Sequence, residues 1–277
     1  MNKIKNYING NLTEPISKEY FDSFEPATGK AYAEVPDSEN EDLEAAIEAS
    51  QCAFKEWART PTSERARLLN AIADEIDNQI ETIAKAESVD NGKPISLARV
   101  VDIPRASLNF RFFASAITSF SSESHAMEDS AINYTLRQPI GLVGCISPWN
   151  LPLYLFTWKI APALASGNCV IGKPSEITPM TAYLLSEICM DVGLPAGVLN
   201  IIHGYGNKVG AAMSGHPEIP VISFTGGTST GKRIAEAAAP HFKKLSLEMG
   251  GKNPNIIFAD CDYETSLSTA VQSSFAN

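Results

Sequence analysis

From Gly141 onward the chain repeats one pattern: a short run rich in β-branched and apolar residues, a turn signal, then a helix-length segment. The runs are Leu142 to Ile146, Cys169 to Ile171, Val198 to Ile202 and Val221 to Phe224. Strands separated by helix-length connections must cross over and pair in parallel, and a parallel sheet is buried on both faces. The expected fold is therefore α/β, a doubly wound parallel sheet of the dinucleotide-binding type, and a ligand is expected beyond the carboxyl ends of the strands.

The part before Gly141 reads differently. Asn9-Gly10 between short apolar segments signals a hairpin, and Glu25-Pro-Ala-Thr-Gly29 signals a second turn. Ser38-Glu-Asn-Glu41 has the form of a capping box ahead of Leu43, Ala46, Ile47, Phe54 and Trp57, which share one helical face. Pro61 opens a further helix with Leu68, Leu69, Ile72, Ile76, Ile80 and Ile83 inward, closed by Asn91-Gly92. Ile103 to Phe113 is a third helical run, started or kinked by Pro104. Residues 119–130 read as a polar connector, and the alternation in Ile132-Asn-Tyr-Thr-Leu-Arg137 as a strand. The stretch Leu151 to Ile171 approaches membrane length, but Pro152, Lys159, Pro162 and Asn168 interrupt it. A buried helix followed by a buried strand explains it better.

The chain has 277 residues, a hydrophobic content of 44% and a net charge of −10, values of an ordinary globular protein with an acidic surface. That charge excludes nucleic acid and anionic membrane as expected partners. With no apolar signal segment at the N-terminus, a cytoplasmic location is expected. The five cysteines, at 52, 145, 169, 189 and 261, are scattered without a CxxC pair, and the four histidines are spread along the chain. Neither a disulfide framework nor a metal site is expected.

Four motifs carry candidate chemistry. Phe224-Thr-Gly-Gly-Thr-Ser-Thr-Gly231 follows a strand and opens a helix, where free backbone N–H groups and the helix dipole favour phosphate. Gly226 and Gly227 allow close approach. The run Gly226-x4-Gly231-Lys232 stops one residue short of a triphosphate-binding loop, because Arg233 replaces the hydroxyl residue that would hold magnesium. Gly204-Tyr-Gly206, with Gly210 one place too late for GxGxxG, is a weak dinucleotide signal or an ordinary strand-to-helix turn. Lys173-Pro-Ser-Glu176 follows the strand beginning at Cys169, and its alternative reading is a solvated loop pair. Ser147-Pro-Trp-Asn150 follows Ile146, with Asn150 open to reading as a helix N-cap. Glu248 is a lone acid between Leu247 and Met249. It is expected to be partly desolvated, with its pKa raised toward that of a general base; the alternative is a strand or helix end capped by Gly250-Gly251.

Taken in order, Pro148-Trp149-Asn150, Lys173-Pro-Ser-Glu176, Phe224 to Gly231 and Leu247-Glu-Met-Gly-Gly-Lys252 resemble the aldehyde dehydrogenase superfamily over the whole chain. Within it, Asp102-Ile-Pro-Arg105, Asn109-Phe-Arg-Phe-Phe-Ala114 and Ser147 to Tyr154 are most similar to the 2-aminomuconic and 2-hydroxymuconic semialdehyde dehydrogenases. The resemblance implies a Rossmann-like cofactor domain in two parts, residues 1–118 and 140–247. It also implies a connector with an oligomerisation β flap at 119–139, and the start of a catalytic domain at 248–277. A homo-oligomer, dimer or tetramer, is implied for the full-length protein.

The resemblance further implies NAD as cofactor and a small-molecule aldehyde as substrate. The cofactor would be held by Ile146, Ser147, Pro148, Trp149, Lys173, Ser175, Glu176, Gly206, Gly210, Phe224, Thr225, Gly226, Gly227 and Gly231. Lys173 and Glu176 would contact the adenosine ribose, and a carboxylate there accepts from NAD and repels the extra phosphate of NADP. In the family a cysteine thiolate attacks the aldehyde, the amide of a residue matching Asn150 donates to the oxyanion, hydride passes to NAD, and a glutamate matching Glu248 activates the water that hydrolyses the thioester. The family's cysteine lies a few residues past the run Ser273 to Asn277. Cys261, between Asp260 and Asp262, and the strand cysteines are poor substitutes, so the chain is expected to be inactive as a fragment and poorly soluble. A guanidinium suits a substrate carboxylate, and Arg105 is the first candidate, Arg111 the second. Arg105 reads equally well as a surface partner of Asp102. The alternatives are a non-catalytic nucleotide-binding fragment, another aldehyde class such as betaine aldehyde or succinic semialdehyde, and a triphosphatase, which Arg233 disfavours.

Overall fold

The computed structural model describes residues 2–128 and 130–275. The chain opens with β1 (Asn2–Lys3), β2 (Asn6–Ile8), β3 (Asn11–Thr13), β4 (Tyr20–Glu25) and β5 (Lys30–Pro36). Strands β2 and β3 form the Asn9-Gly10 hairpin, and both turn residues have positive φ, 52° and 75°, as a tight primed turn demands. Strands β4 and β5 pair across the turn at Gly29, whose N–H donates to Glu25 O at 2.8 Å.

Three helices follow: α1 (Asn40–Trp57), α2 (Thr62–Asn78) and α3 (Ile80–Asn91). The capping box lies one residue later than the sequence suggests. Glu39 is the N-cap, and Asp42 Oδ2 accepts from its N–H at 3.2 Å. Ser38 is instead buried, its Oγ accepting from Asn6 Nδ2 at 2.7 Å, so tertiary pairing withdraws it from the cap. The single helix expected after Pro61 is two, broken at Gln79 (φ −102°, ψ 17°), and this bend lets Ile83 stay buried while Ile80 is only partly so. Gly92, in the left-handed conformation, ends α3.

After α4 (Ile95–Leu97) comes a π-helical turn, Ala98–Asp102, and then α5 (Ile103–Thr118). Pro104 stands in the first turn of α5, where a missing N–H costs nothing. The connector and strand expected over 119–137 form one two-stranded hairpin, β6 (Ser124–Met127) with β7 (Ala131–Tyr134). Met127, Ile132 and Tyr134 on it are all more than half exposed.

The remainder runs β8 (Leu142–Ile146), α6 (Pro152–Ala165), β9 (Cys169–Lys173), α7 (Met180–Asp191) and β10 (Leu199–Ile201). A π-helical turn Gly206–Gly210 leads into α8 (Ala211–Gly215), then β11 (Val221–Gly226), α9 (Thr228–Ala238), β12 (Lys244–Met249) and α10 (Tyr263–Phe275). The seven-stranded sheet has the order β12-β11-β8-β9-β10-β2-β3, with β8 to β12 mutually parallel and β2 and β3 antiparallel at one edge. The chain builds outward from β8 through β9 to β10, then crosses back to β11 on the other side. The switch point lies between β8 and β11, where such sheets leave a crevice.

Alternation along the strands separates two cores. Val143, Cys145 and Val170 pack with Phe110, Phe156, Ile160 and Leu185 from α5, α6 and α7. Leu142, Ile171 and Ile222 pack with Leu43, Ile47, Met213 and Ile234 from α1, α8 and α9. Asn109 Nδ2 ties α5 to α6, donating to Tyr154 O at 3.0 Å and Thr157 Oγ1 at 2.9 Å. Glu248 lies inside β12, an edge strand, so the division placed between residues 247 and 248 falls within one strand. Among the described residues no helix is long and apolar enough to cross a membrane. Residues Ala276 and Asn277 of the terminal run lie outside the described residues.

Candidate active site

Two clefts meet above the switch point. The first, about 540 Å³, is walled by Ile146, Ser147, Pro148 and Trp149 after β8, Lys173, Ser175 and Glu176 after β9, and Phe224, Thr225, Gly226 and Gly227 at the end of β11. Gly206 and Gly210 close its far side. The second, about 760 Å³, shares Pro148, Trp149 and Thr225 to Gly227 and adds Asn150, Glu248, Met249 and the segment Asn91 to Pro94. The shared residues make one continuous groove, with Glu176 toward one end and Asn150 and Glu248 toward the other.

Local sequence explains the mouth. Strand β11 ends at Gly226, and Gly227, the N-cap of α9, has no atom within 4 Å of where a Cβ would stand. A ligand can therefore approach the backbone N–H groups of the first turn of α9. Gly210 would meet Lys173 Cδ at 3.3 Å if it carried a Cβ, and Gly206 would meet Glu176 Oε1 at 3.7 Å. The closer of the two, Gly210, lets the π-helical turn lie against Lys173.

That pair is built as a unit. Lys173, 1% exposed, donates to Glu176 Oε2 at 3.0 Å, and the N–H of Gly206 donates to Glu176 Oε1 at 3.3 Å. Burial pushes the Glu176 carboxyl up, but Lys173 and the backbone donors outweigh it and hold the group below its ordinary value. Burial draws Lys173 down from its ordinary value, opposed by Glu176. Glu176 thus presents an ionised, oriented acceptor at the groove.

Behind the shared wall, Lys159 of α6 is buried and donates to Thr225 Oγ1 at 2.6 Å. Burial lowers its pKa, with Cys145 and Glu248 acting in the opposite sense. Lys93, half-buried but with its side chain only 7% exposed, pairs with Asp102 and donates to the backbone oxygen of Asn150 at 3.2 Å. Asn150 is not a helix cap, since Leu151 holds the N-cap position of α6, and its backbone is held from below by Lys93.

Several sequence expectations need correction. Glu248 is exposed, not desolvated by its neighbours, because β12 is the sheet edge and Met249 is itself 44% exposed. Gly231 lines neither cleft. A Cβ there would lie 2.4 Å from Met249 Sδ, so its smallness brings α9 against β12. Arg111 is bound to Asp74 at 2.7 Å and Asp77 at 2.6 Å, which occupies its guanidinium. Asp102 pairs with Lys93, not Arg105; Arg105 is exposed and sits over the Tyr154 ring at 5.1 Å, outside both cleft walls. None of the five cysteines lines either cleft. Cys145, Cys169 and Cys189 are buried with thiols pushed up to about 12 by burial.

The residues that sequence reasoning missed are Lys93, Lys159, Asn207, Ala211, Ser214, Thr230, Arg233, Ile234 and Ala237. Some signal existed. Lys159 is the one charge in the apolar helix α6, and Thr230, Arg233, Ile234 and Ala237 follow the i, i+3, i+4, i+7 rule of one helix face.

A parallel sheet, a glycine-lined groove at its switch point and an acid held at a strand end define a dinucleotide-binding α/β protein. The model of the aldehyde dehydrogenase family matches residues 13–277, and the chain belongs to that family. It is 50% identical over 275 residues, 99% of this chain, to a 2-aminomuconic semialdehyde dehydrogenase of Danio rerio. It is 44% identical over 283 residues to a 2-hydroxymuconic semialdehyde dehydrogenase of Pseudomonas sp. (strain CF600), covering 58% of it. The chain spans 56% of the Danio rerio relative. Among solved structures, the NAD+ complex of an aldehyde dehydrogenase from Bacillus cereus superposes with a TM-score of 0.96 at 38% identity, covering 98% of this chain and 56% of the other.

Proposed function

We propose that this chain carries the cofactor-binding part and the general base of an NAD-dependent aldehyde dehydrogenase acting on a carboxylate-bearing semialdehyde of the 2-aminomuconic or 2-hydroxymuconic type. One observation carries the reading: a single groove joins the Lys173–Glu176 pair to Asn150 and Glu248 across the glycines of the β11–α9 turn. The dinucleotide's phosphates suit the open backbone at Gly227, and the carboxylate of Glu176 suits the ribose hydroxyls of NAD but would repel a 2′-phosphate. When bound, NAD supplies the hydride acceptor. Asn150, whose side-chain amide has no partner among the described residues, supplies an oxyanion donor worth about 3–4 kcal/mol of barrier. Glu248, exposed at the second cleft, is placed to take a proton from water there.

The substrate class rests on the names of the relatives. Arg105 makes no ion pair among the described residues, so a substrate carboxylate is a chemically suitable partner. With no cysteine on either cleft wall among the described residues, the chain by itself is expected to bind NAD without turnover. Titration with NAD and NADP, followed by absorbance at the NADH band after adding 2-hydroxymuconic semialdehyde, tests this. NAD bound in preference to NADP with no NADH formed is the expected outcome. NADH formation would overturn the inactivity, and failure to bind either nucleotide would overturn the reading as a whole.

A further inference from the structure

The peptide joining Tyr205 to Gly206 is hydrogen-bonded on both sides. Its N–H donates to Glu176 Oε1 at 3.3 Å, and its carbonyl accepts from Lys208 N at 3.1 Å and from Gly210 N at 3.5 Å, the last bond closing the π-helical turn. A peptide unit is planar, so its N–H and carbonyl turn together. The backbone of Tyr205, at φ −70° and ψ 142°, therefore decides whether Glu176 keeps this donor. The Tyr205 side chain lines neither cleft, and the reaction proposed above gives it no task.

What holds Tyr205 comes from the N-terminal part of the chain. Its ring stacks on Phe21 of β4, with centroids 4.3 Å apart and planes inclined at 28°. Phe21 packs in turn against the small core of Ile4, Ala33, Val35 and Met180. Two further ties flank the stack: the N–H of His203 donates to Asn6 Oδ1 at 2.9 Å, and Lys208 Nζ donates to Asp37 Oδ2 at 2.6 Å. The Lys208 side chain is 43% exposed, so water and salt screen that ion pair and leave it a minor restraint. A stacked aromatic pair adds to its buried area a preference for one ring geometry, which an aliphatic contact lacks. The stack is thus the restraint that fixes the direction of the Tyr205 side chain, and with it the plane of the next peptide.

We propose that Tyr205 is a positioning residue: its stack on Phe21 sets the Tyr205–Gly206 peptide so that Glu176 is held in the orientation that selects NAD over NADP. This rests on the NAD reading above and adds to it a pair of residues outside the cleft. The test is equilibrium binding of NAD and NADP to the 277-residue chain and to its Y205A, Y205F and F21L variants, with thermal melting of each. Tyr205 is half-buried, and leucine keeps an apolar side chain against the core at position 21.

Y205A and F21L should each bind NAD about three- to tenfold more weakly, the net effect of one hydrogen bond. NADP, which Glu176 repels, should lose less, so the preference for NAD falls. Y205F keeps the ring and should keep the preference. An unchanged preference in Y205A or in F21L overturns the proposal, whatever the melting temperature does, because a merely structural role would weaken both nucleotides alike. Loss of the preference in Y205F also overturns it, since that assigns the effect to the hydroxyl. Should Y205A not fold, F21L decides by the same ratio. Failure of the unsubstituted chain to bind NAD, or to prefer it, is a distinct result: it removes the NAD reading itself, and this inference with it.

Discussion

Replacing Lys93 with methionine should destabilise the fold more than any surface change, because of what it leaves behind. Lys93 and Asp102 have side chains only 7% and 2% exposed, and Lys93 also donates to the Asn150 backbone oxygen at 3.2 Å. Methionine fills the volume of the lysine stem but leaves the Asp102 carboxylate buried without a counter-charge, within electrostatic reach of the buried acid Glu87. Breaking one side of such a pair costs about 3–5 kcal/mol. With a urea dependence of about 2–3 kcal/mol per molar, the midpoint of unfolding should fall by about 1–2.5 M. The double substitution K93M/D102N removes both charges and should recover at least half of the loss, giving a coupling of opposite sign to the single effects. Urea titrations of the four proteins by circular dichroism supply the cycle. A K93M midpoint within about 0.3 M of the parent, or a double variant no better than K93M, would refute the argument that the cost lies in the stranded carboxylate.

Stability should also fall as pH rises from about 4 to about 8. Burial pushes Glu87 up to about 8 and Asp90 up to about 7. Both exceed their values in an unfolded chain, so the folded state keeps protons that the unfolded state has released, and the stability these groups give is complete below pH ~4 and lost as pH rises toward 8. E87Q should flatten that slope and raise the melting temperature at pH 8; an unchanged pH profile would sink the assignment. At Gly197, with φ +79° and Ala49 O only 2.4 Å from any added Cβ, alanine should cost at least about 2 kcal/mol, and a melting curve like the parent's would contradict it.

Much of the fold was legible because local rules and global packing agree. The Asn9-Gly10 turn needs positive φ at both residues, and the apolar runs after Gly141 can only be strands buried on both faces. Reading failed where a distant partner intervened. Ser38 left its cap for Asn6, and Asp102 took Lys93 in place of Arg105. Arg111 was engaged by two aspartates of α2, a contact invisible without the α2–α5 packing. Glu248 has apolar neighbours in sequence, but exposure in an edge strand depends on what lies beside the strand.

The sequence by itself determined the strand and helix periods, the turns, and the glycine and carboxylate motifs at strand ends, since these depend on residues near one another in the chain. Tertiary structure alone decided which of those ends converge. The return from β10 to β11 across β8 brings Asn150, Glu176 and Gly227 to one groove and sets Arg233 on its wall. It also decided which charges are committed, because burial removes the competing water and lets a single nearby partner fix a side chain's role.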